Sequence, residues 1–222
     1  MRILLAAMAA LGAMVAACGC QNQACMVKNP PAPYFGPRVG GAVALLPARP
    51  MPYGKPLEIP RQPARSPAWN TAEWRPDGPE RPWRYIVIHH SATPTGNADE
   101  FDRMHRAKGW DELGYHFVIG NGTGSGDGQV EVGGRWPKQK HGAHARVLGH
   151  PEYNDIGIGI CLVGNFDECR PSEAQMMALA RLTRFLMDRY GIPRGRIFGH
   201  GQLKATDCPG KYFDYGDLFR RL

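Results

Sequence analysis

Proline is distributed unevenly along this chain of 222 residues, because fourteen of its 20 prolines precede Trp83. Proline has no N–H group and a fixed φ, so closely spaced prolines exclude helices and central strands and favour extended polyproline segments. Residues 26–80 are also rich in arginine and small residues, and they show neither a helical nor an alternating hydrophobic period. We therefore expect an extended N-terminal tether over residues 18–80 and a folded domain over residues 81–222.

The first 17 residues have the features of an export signal. Arg2 is followed by an apolar run, residues 3–17, which is too short to span a bilayer but fits the central region of a secretory signal peptide. The run ends in small residues before Cys18, which resembles the lipobox of bacterial lipoproteins. This predicts a signal peptide over residues 1–17, with a plain signal peptide cleaved nearby as the alternative.

Lipidation of Cys18 would hold the protein at a membrane without a spanning helix. The protein is then expected to be exported and lipid-anchored in the bacterial cell envelope, on the periplasmic side. Gly19 stands where some bacteria use aspartate for inner-membrane retention, so the outer membrane is favoured.

After Trp83 the chain has the pattern of an α/β domain. Apolar, β-branched segments alternate with helical patterns, and a glycine-rich turn joins two of the strands as a hairpin. The pattern predicts a single mixed β-sheet flanked by helices. Predicted strands cover residues 84–90, 114–120, 129–133, 156–164 and 196–200, and predicted helices cover residues 97–110, 171–191 and 214–220.

The segment 171–191 gives the clearest helical signal in the chain. Ser172 and Gln175 form a capping box at its start, and Gly191 ends it. The stripe expected to face the core consists of Ala174, Met177, Ala178, Leu182, Phe185 and Leu186.

Histidine and cysteine side chains at the predicted strand ends indicate a metal site. His200 ends the last strand and Cys208 follows in the next loop, while His89 and His90 end the first strand. Zinc favours nitrogen and sulfur ligands, and a catalytic zinc has three protein ligands and one open position. Because successive side chains of a strand point to opposite faces, His89 and His90 cannot both bind one metal. Their spacing alone does not choose between them.

Five segments of the folded part occur in the order seen in zinc-dependent N-acetylmuramoyl-L-alanine amidases: VIHHSAT, GYHFVIG, GAHA, IGICLVG and GHGQLKATDCPG. The family includes the peptidoglycan recognition proteins and a phage lysozyme that is an amidase. The resemblance covers residues 83–222 and implies that His89, His200 and Cys208 bind zinc in a groove at the strand ends. It further implies that a zinc-activated water cleaves the amide bond between N-acetylmuramic acid and the L-Ala of the stem peptide.

The same resemblance implies roles for four further residues. Tyr115 is expected to reach the reacting water or the developing oxyanion, and Thr206 is expected to face the reacting amide. His144 and Asn154 are expected to contact or shape the substrate groove. Relatives carry lysine or threonine at the position of Thr206, so this chain lacks one cationic stabiliser of the oxyanion, which bears on the rate.

The net charge and the export signal bear on the partners of the protein. The formal charge of +7 favours acidic partners such as nucleic acid, anionic lipid or a carboxylate-rich wall polymer. The export signal and the absence of an Arg/Lys-rich helix with interleaved aromatic residues speak against nucleic acid. We expect a monomer that acts on peptidoglycan or muropeptides and contacts the membrane through its lipid anchor. The alternative is a zinc-containing recognition protein that binds peptidoglycan without cutting it.

The remaining cysteines fit an exported protein, in which disulfides are permitted. Cys161 lies in a predicted buried strand and is expected to be a small core residue. Cys169 can bridge to Cys161 if its loop folds back, and Cys20 and Cys25 can pair or remain free.

Overall fold

A computed structural model describes residues 71–76 and 78–222. The described strands are β1 (Tyr85–His90), β2 (Phe117–Ile119), β3 (Val130–Val132), β4 (Gly157–Leu162) and β5 (Ile197–Gly199). The described helices are α1 (Ala98–Ala107), α2 (Glu152–Asp155), α3 (Glu173–Tyr190), α4 (His200–Leu203) and α5 (Tyr215–Arg221), with 3-10 turns at Ala72–Trp74 and Arg194–Arg196.

The strands of the described residues form one mixed sheet in the order β3-β2-β4-β1-β5. β1 pairs in parallel with β4 and with β5, and β2 pairs in parallel with β4. β2 and β3 form an antiparallel hairpin. The predicted single mixed sheet flanked by helices is therefore confirmed. Because β1, β4 and β5 run in parallel, their C-terminal ends lie at the same edge of the sheet.

The two faces of the sheet are covered differently. Ile86 and Ile88 of β1 lie on the face that packs against α3, within the large hydrophobic core. On the opposite face, Phe101 of α1 packs in a smaller cluster with side chains that include Cys161 of β4. Side chains alternate along a strand, so His89, next to Ile88, points toward the α1 face.

Helix α3 begins and ends where its capping signals predict. The Ser172 hydroxyl accepts a hydrogen bond from the Gln175 N–H, and the Gln175 side chain accepts one from the Ser172 N–H. Gly191 follows the helix with a left-handed φ of 63°, which glycine adopts without strain. The buried face is rotated from the expected stripe, since Met177 is 39% exposed while Met176 is buried.

The packed part of the chain includes residues that were expected to belong to the tether. Trp74 is 5% exposed and lies in the large core, and its carbonyl oxygen accepts a hydrogen bond from Trp136 Nε1 at 3.0 Å. The Trp74 ring meets the Phe185 ring edge to face, with centroids 5.5 Å apart. Residues 72–74 therefore contribute to the folded core, ahead of the boundary expected at residue 81.

The predicted signal peptide over residues 1–17, the lipidation site Cys18 and the Cys20–Cys25 pair lie outside the described residues. Among the residues that the structure describes, no helix combines the length and the apolar character needed to cross a membrane.

Candidate metal centre

Three side chains from separate segments converge at one edge of the sheet. His89 lies near the end of β1, and His200 is the first residue of α4, directly after β5. Cys208 lies in the loop that follows α4. One potential ligand atom from each of the three residues lies within 4.8 Å of the other two. The parallel pairing of β1 with β5 brings the two histidines together, and the loop returns the cysteine to them.

The strand alternation separates His89 from its neighbour His90. The His90 ring lies on the other face, where its Nδ1 accepts a hydrogen bond from the Phe166 N–H at 3.1 Å. The rings of His90 and Phe166 are 5.9 Å apart. His89 therefore points toward the cluster, whereas His90 packs against Phe166 on the other face of the sheet.

The cluster has the chemistry and the spacing of a zinc site. Tetrahedral ligands at the usual zinc bond lengths have nitrogen and sulfur atoms about 3.5 Å apart. Cys208 Sγ lies 3.6 Å from His89 Nδ1. His200 Nε2 is buried and has no hydrogen-bond partner, which is costly unless another group binds it. Two imidazoles and a thiolate are a ligand set that zinc prefers, so these residues fit the metal.

Burial determines the protonation of the three side chains. It lowers the pKa of His89 well below its usual value, and the neighbouring histidines lower it further. Burial also lowers the pKa of His200, with a smaller effect from Lys204. Burial raises the pKa of the Cys208 thiol to about 12, although a hydrogen bond from the His90 backbone opposes this. Without a metal the site is thus two neutral imidazoles and a thiol, and a cation must displace the thiol proton to bind.

Tyr115 lies beside this cluster, two residues before β2. Its ring centroid is 5.1 Å from that of His89. Burial raises the pKa of Tyr115 well above its usual value, and the nearby thiols of Cys161 and Cys208 add to this. The thiol of Cys161 is a neighbour of the hydroxyl. Tyr115 therefore holds a proton that it can donate near the cluster, and its part in the reaction stays a prediction.

Thr206 lies in the loop that presents Cys208. Its side chain is exposed, and its Oγ1 accepts a long hydrogen bond of 3.5 Å from the Cys208 N–H. The Thr206 hydroxyl is thus exposed in the loop that carries Cys208, and its contact with a reacting amide stays a prediction.

His144 and Asn154 are in contact with each other and brace the loop before β4. Asn154 Oδ1 accepts hydrogen bonds of 2.9 Å from the N–H groups of His144 and Ala145. The His144 side chain is buried, with Nδ1 at 3.1 Å from His89 Nε2 and Nε2 at 3.1 Å from the carbonyl oxygen of Gly157. Neither ring nitrogen is free for a substrate. The fold turns the ring of His144 toward His89, and the expectation that His144 and Asn154 contact or shape the substrate groove stays a prediction.

Cys161 is a small buried core residue, as expected, and it also lies next to the site. Its position in β4 is directly opposite His89 of β1 in the parallel register, and its thiol contacts the Tyr115 hydroxyl. The sequence could not place Cys161 beside His89, because the pairing of β1 with β4 is known only from the fold. Cys161 is a free thiol and Cys169 is disulfide-bonded, so the suggested Cys161–Cys169 bridge is wrong.

Comparison with curated proteins finds relatives at modest identity. The chain is 33% identical over 157 residues to the N-acetylmuramoyl-L-alanine amidase of Sus scrofa, covering 64% of this chain and 24% of the pig protein. It is 32% identical over 154 residues to peptidoglycan-recognition protein LB of Drosophila melanogaster, covering 64% of this chain and 58% of the fly protein. The chain therefore matches about a quarter of the length of the pig protein and less than two thirds of the fly protein.

Comparison with solved structures also finds an N-acetylmuramoyl-L-alanine amidase. The fold is similar to that of N-acetylmuramoyl-L-alanine amidase LysC from Clostridium intestinale URNW, with a TM-score of 0.54 and 29% sequence identity. The match covers 67% of this chain and 92% of that structure.

The family model described as N-acetylmuramoyl-L-alanine amidase matches residues 79–211, which are more than half of the chain. The chain therefore belongs to the N-acetylmuramoyl-L-alanine amidase family.

Proposed function

We propose that this protein is a peptidoglycan hydrolase that cleaves the amide bond between N-acetylmuramic acid and the L-Ala of the stem peptide. Zinc is its cofactor, held by His89, His200 and Cys208. The observation that carries the proposal is the convergence of these three ligand atoms within 4.8 Å, with the buried His200 Nε2 lacking any other partner. Family membership supplies the reaction type.

A bound zinc supplies Lewis-acid chemistry, polarising the amide carbonyl and lowering the pKa of water toward neutrality. The side chains of the protein supply the metal ligands and the hydrogen-bond donors. The Tyr115 hydroxyl, which keeps its proton at neutral pH, donates a hydrogen bond to the oxygen on which charge develops. The exposed Thr206 hydroxyl offers a second, weaker donor on the open side.

Zinc content and muropeptide hydrolysis test this proposal, measured for the wild type and for Cys208→Ala. We expect the variant to lose both, because two imidazoles alone bind zinc weakly and leave the thiolate position empty. Cys161→Ala is the matched control: it removes the other free thiol of the described residues, which is not among the three proposed ligands, and should retain zinc. Full metal and activity in Cys208→Ala would show that the site assignment is wrong.

A second candidate is a recognition protein that binds peptidoglycan without cutting it, since the relatives include proteins named for peptidoglycan recognition. Incubation with purified sacculi separates the two. Release of stem peptides supports the hydrolase, whereas tight binding without release supports the recognition protein. The intact ligand set and Tyr115 favour the hydrolase.

We further propose that the protein works as a monomer in the bacterial cell envelope, exported and anchored by a lipid on Cys18. The support is the sequence Val15-Ala16-Ala17-Cys18 after an apolar run, together with a charge of +7 that suits a carboxylate-rich wall. Fractionation of cells that express the wild type or Cys18→Ser tests the anchor. Loss of the membrane-bound fraction in the variant is expected, and an unchanged fraction would contradict lipidation at this residue.

A further inference from the structure

The proposed site needs a particular form of His89. A neutral imidazole carries one proton, which can reside on either ring nitrogen. His89 Nδ1 faces Cys208 Sγ at 3.6 Å, so Nδ1 is the nitrogen that must present a lone pair to a metal. If the proton resided on Nδ1, the ligand atom would be blocked.

His144 settles this choice through a chain of hydrogen bonds. The carbonyl oxygen of Gly157 can only accept, so His144 Nε2, 3.1 Å away, carries the proton of that ring. His144 Nδ1 then has a lone pair. It accepts from the N–H at His89 Nε2, also at 3.1 Å, and this leaves His89 Nδ1 without a proton. The carbonyl of Gly157 thus sets the tautomer of His89 through the His144 ring.

Two glycines make the space that this ring occupies. A Cβ added at Gly159 would lie 2.4 Å from His144 Cδ2, and one added at Gly142 would lie 2.3 Å from the same atom. Real Cβ atoms do not approach other atoms so closely. The ring is therefore enclosed between β4 and its own loop, while Asn154 Oδ1 holds the backbone of His144 from a third side.

We propose that His144 is a positioning residue that fixes the tautomer and the orientation of His89 for metal binding. The inference rests on the proposed function, because it takes His89 to be a zinc ligand. Partners of this kind commonly orient the histidines of zinc sites, and their loss typically costs about 10–100-fold in metal affinity. His144 acts through His89, since both of its ring nitrogens already have partners in the protein.

Two variants of nearly equal size separate this role from simple packing. His144→Asn retains an acceptor oxygen near the position of Nδ1, whereas His144→Leu fills similar space without any acceptor. Zinc dissociation constants from chelator competition should rise about 10–100-fold in His144→Leu and clearly less in His144→Asn. Melting temperatures of the metal-free variants show how much each change affects the fold. Equal losses of zinc affinity in the two variants would overturn the proposal.

Long-range proton–nitrogen NMR correlations of the metal-free wild type give a test that needs no variant. We expect the protons at Nε2 of both His89 and His144, and a proton at His89 Nδ1 would overturn the proposal. Combined with a zinc-binding measurement, this measurement also separates the proposed zinc cofactor from the proposed role of His144. A wild type that has the expected tautomers but binds no zinc refutes the proposed cofactor, whereas zinc binding with the wrong tautomer refutes the role of His144 alone.

Discussion

Tyr115 is a partly buried phenol that lies beside the candidate metal cluster. Its ring is close to His89, at 5.1 Å between centroids, and its pKa lies well above the usual value because of burial. The hydroxyl therefore keeps its proton, and remains a hydrogen-bond donor, at neutral pH. Its neighbour is the Cys161 thiol, a weak acceptor that competes poorly with a charged oxygen for the hydroxyl proton.

Tyr115→Phe removes this hydroxyl and leaves the ring in place. We expect kcat on muropeptides to fall about 100–1000-fold, the usual cost of losing one oxyanion donor, while zinc content stays unchanged. Tyr190→Phe is the control, since Tyr190 packs at the core on the other face of the sheet. A Tyr115→Phe enzyme with wild-type kcat would exclude this tyrosine from the reaction.

His116 is a buried histidine whose hydrogen bonds require the neutral ring. Its Nδ1 accepts from the Gly159 N–H at 2.9 Å, and its Nε2 donates to the Lys140 carbonyl at 3.0 Å. A second ring proton would reside on Nδ1 and would point at the Gly159 N–H, which is also a donor. Burial, together with the nearby His144, lowers the pKa of His116 well below 6.5. Protonation is thus disfavoured in the folded state.

The unfolded chain, in contrast, takes up this proton below about pH 6.5. The free energy of unfolding of the metal-free protein should therefore decrease as the pH falls from 7.5 to 5. Urea denaturation at several pH values measures this. His116→Gln should be less stable at pH 7.5 but should show a smaller decrease, and an unchanged pH dependence in this variant would contradict the assignment.

Alternate residues of strand β4 point to the large core and to the face of the sheet that carries the candidate site. Ile158, Ile160 and Leu162 enter the large core, while the alternate positions on the site face are small. The His144 ring leaves no room for a Cβ at Gly159, whereas a Cβ at Gly157 would meet the carbonyl oxygen of Tyr153 at 2.2 Å.

Gly159→Ala should destabilise the protein by about 1–3 kcal/mol, the usual cost of overpacking, and should weaken zinc binding as well. Gly195→Ala is the matched control, because a Cβ at Gly195 meets nothing within 4 Å. Chemical denaturation and zinc titration of both variants check the prediction. It would be contradicted if the two variants behaved alike.

Helix α3 shows which part of an element can be predicted from local sequence. Its capping box and its terminal glycine involve residues within one turn, and both were predicted. The buried face was predicted less well, since Met177 is exposed and Leu179 is fully buried. Several sides of this helix are apolar, so the rotation of the helix depends on where the sheet and α5 lie.

At the scale of the whole molecule, the core extends beyond the region matched by the family model. The match begins at residue 79, but Trp74 already lies in the large core and contacts Phe185 of α3. Proline-rich composition indicated a tether here. The buried tryptophan instead joins the last part of that segment to the domain.

Trp74→Ala should reduce the free energy of unfolding by about 3–5 kcal/mol, the range for buried aromatic side chains. Trp110→Ala provides the control, because Trp110 is 43% exposed and its loss should cost less. Equal losses in denaturant titrations would show that Trp74 contributes no more than a surface residue.

Local patterns were enough to predict the strands, the helix caps, the hairpin and the three residues of the candidate metal cluster, with the family resemblance choosing His89 over His90. These features depend on residues that are close together in the sequence, or on short motifs that follow one another in a known order. The position of Cys161 opposite His89, the burial of Trp74 and the enclosure of His144 could be seen only in the fold. His144 lies 55 residues from His89, and Cys208 lies 119 residues from it. Contacts over such separations depend on which strands pair and how loops return, so only the packed sheet defines which nitrogen of His89 can face a metal.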